Sequence, residues 1–137
     1  MNDKNQISNS SDESVVHFGH SVIRMRDDGI VEINCANDFE YDVAAIQQNL
    51  EHVKKLAKGK KLLVLNLSKE YTSVSKEARD LIGFGFHKEF IKAEAFVIHT
   101  LGQLLLGNLF MRINKPIVPA KLFKTKAAAE IWLKSFL

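Results

Sequence analysis

Residues 65–81 read LNLSKEYTSVSKEARDL, an apolar run that enters a turn rich in hydroxyls and then a helix. Hydroxyls at a helix start allow two kinds of chemistry. A phosphate on Ser75 or Ser73 would meet free backbone amides and the positive end of the helix dipole, with Lys76 and Arg79 nearby. The plainer role is a cap, in which the Ser75 oxygen accepts a hydrogen bond from an orphan amide and Glu77 favours the same end. Ser75→Asp is expected to be tolerated in both cases, and only the phosphate role predicts altered partner binding.

The remaining polar residues suited to chemistry gather where strands end. In parallel sheets, ligands collect at the carboxyl ends of strands. Here those ends are residues 34–37, Asn66 to Ser68, His99 with Thr100, and Lys124 with Thr125. His99 is the best candidate for proton transfer, because an imidazole titrates near neutral pH. No nucleophile has an evident base and orienting partner, so His99 reads first as a loop anchor and no catalytic residue is assigned. His17 and His20 are three apart on a strand and point to opposite faces unless the chain bends at Gly19, and a metal would need further ligands. The GFG of residues 83–85 does not follow a strand and is no dinucleotide fingerprint; its glycines suit close packing or a helix end. No cofactor or metal is expected.

Hydrophobic periodicity supplies the elements that position these residues. Val15 begins a β-rich stretch that runs through SVIRMR, turns at Asp28 and Gly29, and returns as IVEINC, an antiparallel hairpin. Val43, Ile46, Leu50, Val53 and Ala57 recur at helical spacing behind an Asp42 cap, with Gly59 as the stop. KLLVLNL is a short, nearly continuous apolar run, as expected of a central strand covered on both faces. A second helix from about Ser75, the strand EAFVIHT, the helix LGQLLLGNLFMRI, the strand PAKLF and a last helix capped by Thr125 complete the order. Alternation of this kind builds a mostly parallel sheet with right-handed crossovers.

This order, with Ala78 and Arg79 opening the second helix and Ala129, Trp132 and Leu133 near the end, resembles small uncharacterised proteins with the SpoIIAA-like, STAS-type fold. The resemblance covers roughly residues 20–137. It implies an α/β domain with a five-stranded mostly parallel sheet, an N-terminal antiparallel hairpin strand and four helices. In the anti-sigma-factor antagonists of that fold, the turn before the second helix carries an Asp-Ser-(Ser/Thr)-Gly type motif whose hydroxyl is phosphorylated. Here Val74, Ser75, Lys76 and Glu77 occupy that turn, without its acidic residue or glycine.

Composition bounds the rest. An apolar share of 46% places the chain among globular proteins. A net charge of +3 is too mild to require a polyanion. The lysines of KKLAKGKK suit a helix carboxyl end, no interleaved aromatics accompany them, and nucleic acid is not an expected partner. Residues 1–14 lack the apolar content to order themselves and read as a mobile tail ahead of a single domain over 15–137. With one cysteine, Cys35, no apolar leader and no run of about 18 apolar residues, a cytoplasmic location is the expectation.

One helix is anomalous. Leu101, Leu104, Leu105, Leu106, Leu109, Phe110, Met111 and Ile113 occupy most of its circumference, although a sheet-covering helix needs one apolar stripe. The leading expectation is therefore a non-enzymatic protein-interaction or regulatory domain, self-associating as a homodimer with Leu104 or Met111 near the axis. The alternative is a binder of a small apolar ligand or lipid in a pocket beside residues 101–113, with Leu101, Leu104, Leu105, Leu109 and Met111 as candidates for either surface.

Overall fold

The computed structural model describes residues 15–18 and 20–137. The tail expected over residues 1–14, the bend at Gly19 and the side chain of His17 lie outside the described residues. The sheet strands are β1 (Val15–Phe18), β2 (Ser21–Met25), β3 (Ile30–Asn34), β5 (Leu62–Leu67), β7 (Ile91–Val97) and β8 (Ala120–Phe123), in the order β1-β2-β3-β5-β7-β8. The β1–β2 and β2–β3 pairs are antiparallel, and β3, β5, β7 and β8 are parallel. Two further strands, β4 (Phe39–Tyr41) and β6 (Thr72–Val74), pair in parallel apart from this sheet. The helices are α1 (Val43–Ala57), α2 (Lys76–Phe84), α3 (Leu101–Ile113) and α4 (Lys126–Lys134), with a 3-10 turn over Phe86–Glu89.

The expected architecture is present. Two details differ from the sequence reading. The stretch from Val15 to Met25 folds back on itself as two strands, Phe18 opposite Ser21, so the hairpin gains a strand. The three-residue ribbon β4–β6 is too short to carry a periodic signal.

Strand parity divides the buried residues between two faces. Leu63, Leu65, Ala93, Ala95 and Val97 pack with Ala129 and Leu133 of α4, and Phe123 and Trp132 close that side. Val31, Ile33 and Val64 point the other way, against Leu50, Val53 and Ala57 of α1. A bulge at Lys92 sets this parity: Leu62 pairs with Ile91 but Leu63 with Ala93, so the extra residue reverses the faces along β7. Its consequence is that Ala93, Ala95 and Val97 turn to α4 while Glu94 and Phe96 turn to the α1 side.

The α4 side is also tied by charge. Glu32, buried on β3, receives Arg26 at 3.2 Å and Lys126 of α4 at 3.0 Å. Arg26 also pairs with Asp28 at 2.6 Å and with Glu130 of α4. Burial pushes the Glu32 carboxyl up, but the Lys126 hydrogen bond and the charges of Lys126, Arg26 and Arg24 outweigh it and hold the group below the usual carboxylate range.

Candidate ligand cavity

The second face is filled only in part. Between the sheet and helices α1, α2 and α3 lies a cavity of about 460 Å³. Its apolar wall comes from Ile33, Ile46, Leu50, Ile82, Phe96 and Phe110. Glu70, Tyr71, Ser73, Gly102 and Leu106 line it too and are exposed, which puts the mouth between the β5–β6 loop and the first turns of α3.

Helix α3 explains the space. Its buried residue is Phe110, and it rests on edge strand β8 at Gly107, where a Cβ would lie 2.5 Å from Leu122 Cδ1. That close approach fixes the roll of the helix. Gln103, Gly107 and Phe110 face inward, and Leu101, Leu105 and Ile113 face solvent at 70%, 60% and 66% exposure. Leu104 and Met111 are half-buried beside the inward row, so the exposed strip is not the one expected around them. None of Leu101, Leu104, Leu105, Leu109 and Met111 lines the cavity; Leu106 and Phe110 are the apolar α3 side chains that do, beside Gln103.

Hydrogen bonds shape the mouth. Thr100 Oγ1 accepts from Gln103 N at 3.1 Å, and Gln103 completes a capping box. Gln103 Nε2 donates to Lys69 O at 2.7 Å and Thr72 O at 2.9 Å, fastening α3 to the β5–β6 loop. His99 Nε2 lies 2.7 Å from Ser68 O, and its backbone N–H donates to Gln103 Oε1 at 2.7 Å. Asn66 Nδ2 donates to Ala95 O at 3.3 Å, and Ser68 Oγ donates to Val97 O at 2.5 Å. The rim candidates Asn66, Ser68, His99 and Thr100 therefore meet at one end of the sheet, where their bonds hold loops. Asn66, Ser68 and Thr100 also line the cavity.

The opening hydroxyls divide in the same way. Ser75 Oγ accepts from Ala78 N at 3.1 Å, and Ser75 N–H donates to Tyr41 O at 3.0 Å, so this residue caps α2 and joins it to β4. Gly85 ends α2 with φ 69°, in the left-handed region that glycine enters without strain, and its N–H donates to Ile82 O. Thr72 Oγ1 donates to Ala36 O at 2.7 Å. Ser73 is exposed at the mouth.

Three polar side chains of the wall, His87, Glu94 and Asn49, escaped the sequence reading, and Arg79 and Cys35 stand beside them. His87 Nε2 and Glu94 Oε2 lie 2.5 Å apart, with side chains 1% and 6% exposed. Asn49, on the inward stripe of α1, is 6% exposed. Arg79 donates from Nη1 to Val74 O at 2.6 Å and stands half-buried on the wall. Cys35 shares the wall, and burial pushes its thiol up to about 11. A sequence signal existed for two of them. Asn49 sits three residues after Ile46 on the apolar stripe, and Glu94 alternates with Ala93 and Ala95. His20 stacks on Phe39 with ring centroids 3.8 Å apart, and among the described residues no three His, Cys, Asp or Glu side chains are grouped to hold a metal ion.

The fold has a solved counterpart. An uncharacterized protein of the DUF3478 family with a SpoIIAA-like fold, from Shewanella loihica PV-4, is similar with a TM-score of 0.55 at 18% identity, over 85% of this chain and 92% of that one. The architecture is thus SpoIIAA-like. Residues 23–137 match the model of a domain of unknown function, DUF7793, and the chain belongs to that family. No curated protein matches. No helix among the described residues is long and apolar enough to cross a membrane.

Proposed function

We propose that this domain binds a small, mainly apolar molecule in the cavity under α3, as a binding module with no catalytic step of its own. The cavity carries this reading. Its volume of about 460 Å³ falls within the ~300–1,000 Å³ of ordinary ligand sites, and a mostly apolar wall with a few inward polar groups is their usual lining. An unfilled space of this size forgoes the dispersion contacts that packed side chains would make, and an occupant restores them. Nile red tests the reading with the Ile46→Trp variant, whose indole takes up cavity space. Saturable binding by the native protein, lost in the variant without a fall in melting temperature, is the expected result. No saturable binding, or equal binding by both proteins, would remove it.

A second reading is contact with another protein through the outer face of α3. Leu101, Leu105 and Ile113 support it, since an exposed apolar row beside a polar surface is common at interfaces. A second copy of the chain is the default partner, because most soluble oligomers are symmetric. Sedimentation equilibrium at high micromolar concentration decides, with a dimer dispersed by Leu105→Glu expected and a monomer contradicting it.

A further inference from the structure

The polar groups of the cavity wall narrow the ligand's chemistry, an inference that rests on the cavity being a binding site. Glu94 is a charged residue placed mid-strand on a buried face, where the alternation of β7 would otherwise call for an apolar side chain. One of its oxygens, Oε2, is bonded to His87 Nε2 at 2.5 Å. The other, Oε1, has no hydrogen-bond partner among the described residues, and Glu94 lines the cavity. Its character does not depend on where the shared proton sits. If His87 holds it, Glu94 is a carboxylate; if Oε2 holds it, Oε1 is the carbonyl oxygen of the acid. In both cases Oε1 accepts and cannot donate.

Asn49 is the second observation. This residue is 6% exposed, lines the same cavity from α1, and its side-chain amide makes no hydrogen bond among the described residues. An amide that opens onto a cavity and bonds to no protein group there is left to water or to a ligand. Two elements thus present polar atoms that bond to no described protein group to a mostly apolar space.

We propose that the cavity takes a neutral apolar molecule bearing a hydroxyl group, which donates to Glu94 Oε1 and whose oxygen accepts from the Asn49 amide. A hydroxyl both donates and accepts, so it suits an obligate acceptor and an amide. An ether offers no donor to Oε1. A carboxylate offers a second acceptor and a charge, and would be drawn instead to Arg79.

Competition against Nile red with decanol, decyl methyl ether and decanoate tests the assignment on the native protein. Decanol is expected to bind at least about tenfold more tightly than the ether, the effect of one hydrogen bond to an otherwise unsatisfied acceptor. Glu94→Leu is expected to bring that ratio close to one. Asn49→Leu, which leaves the His87–Glu94 pair intact, is expected to weaken decanol and the ether alike, by about threefold or more, and to leave the ratio between them in place. Equal displacement by decanol and the ether would overturn the hydroxyl assignment and leave the cavity reading standing. Tighter binding of decanoate would overturn it in favour of a headgroup at Arg79. Displacement by none of the three would overturn both readings. The ratio on the native protein decides even if Glu94→Leu fails to fold.

Discussion

The two faces of the sheet are built to different standards. On the α4 face Ala93, Ala95, Ala129, Leu65 and Leu133 are fully covered, and an ion network from Arg26 to Glu130 and Lys126 locks the helix to the hairpin. On the α3 face the helix touches the sheet at its edge, four of its large apolar side chains are exposed, and a cavity separates it from β5 and β7. Small residues on β7 decide the first case, because alanines let α4 approach closely. In the second, Glu94 and Phe96 on the same strand hold the opposite face apart. One side is packed throughout, and the other, packed against α1, leaves room under α3.

Mutations can break that comparison. Leu133→Ala is expected to cost about 2–5 kcal/mol by opening a gap in a close-packed layer. Leu106→Ala, at the mouth of the existing cavity, is expected to cost under about 1 kcal/mol, because little packing is lost there. Urea denaturation measures both, and equal costs would erase the distinction between the faces.

A smaller effect concerns the joint between α2 and the ribbon. Ser75→Ala is expected to cost about 1 kcal/mol through the lost cap, again by urea denaturation. A change near zero would move the cap elsewhere. Stoichiometric phosphate on Ser75, seen in the intact mass of protein from its own cell, would instead give this hydroxyl a regulatory role.

Acid titration sharpens the account of the α4 face. Glu32 and Asp28 are both held below the ordinary carboxylate range, Asp28 by Arg26 and the Ile30 amide against the opposing pull of burial. A carboxyl with a lowered folded value adds stability that is present above its unfolded value, near 4.5 for Glu32, and is lost as pH falls toward the folded one. Stability should therefore drop as the solution is acidified below that value, and Glu32→Gln should flatten the drop. A profile unchanged by the substitution would mean that the network contributes little.

The smallest expected effect is chemical. With its thiol pushed up to about 11, Cys35 should react slowly with iodoacetamide at neutral pH, and more slowly still with decanol in the cavity it lines. Fast alkylation indifferent to decanol would place Cys35 outside the ligand's reach.

Much of the fold could be read from periodicity and caps. Asp42, Ser75 and Thr125 each accept a hydrogen bond from the first turn of a helix, and the KLLVLNL run is the central strand. The site was harder to read. The surplus of leucines on α3 did mark where the packing departs from the ordinary, but periodicity alone could not give the roll of the helix. That roll depends on Gly107 meeting Leu122 from another element. Glu94 was hidden for a related reason. A strand begun at residue 94 shows an acidic end, whereas a strand begun at Ile91 with a bulge at Lys92 shows a buried carboxyl in its middle. His87 came from a 3-10 turn whose pairing with β7 is a tertiary contact.

The central claim, that the space under α3 exists to be occupied, is tested most directly by native mass spectrometry of the protein isolated from its own cell. The native chain should carry one apolar molecule of defined mass, and the Ile46→Trp chain, prepared in the same way and equally folded, should carry none. A bare native chain, or the same adduct on both proteins, would contradict it.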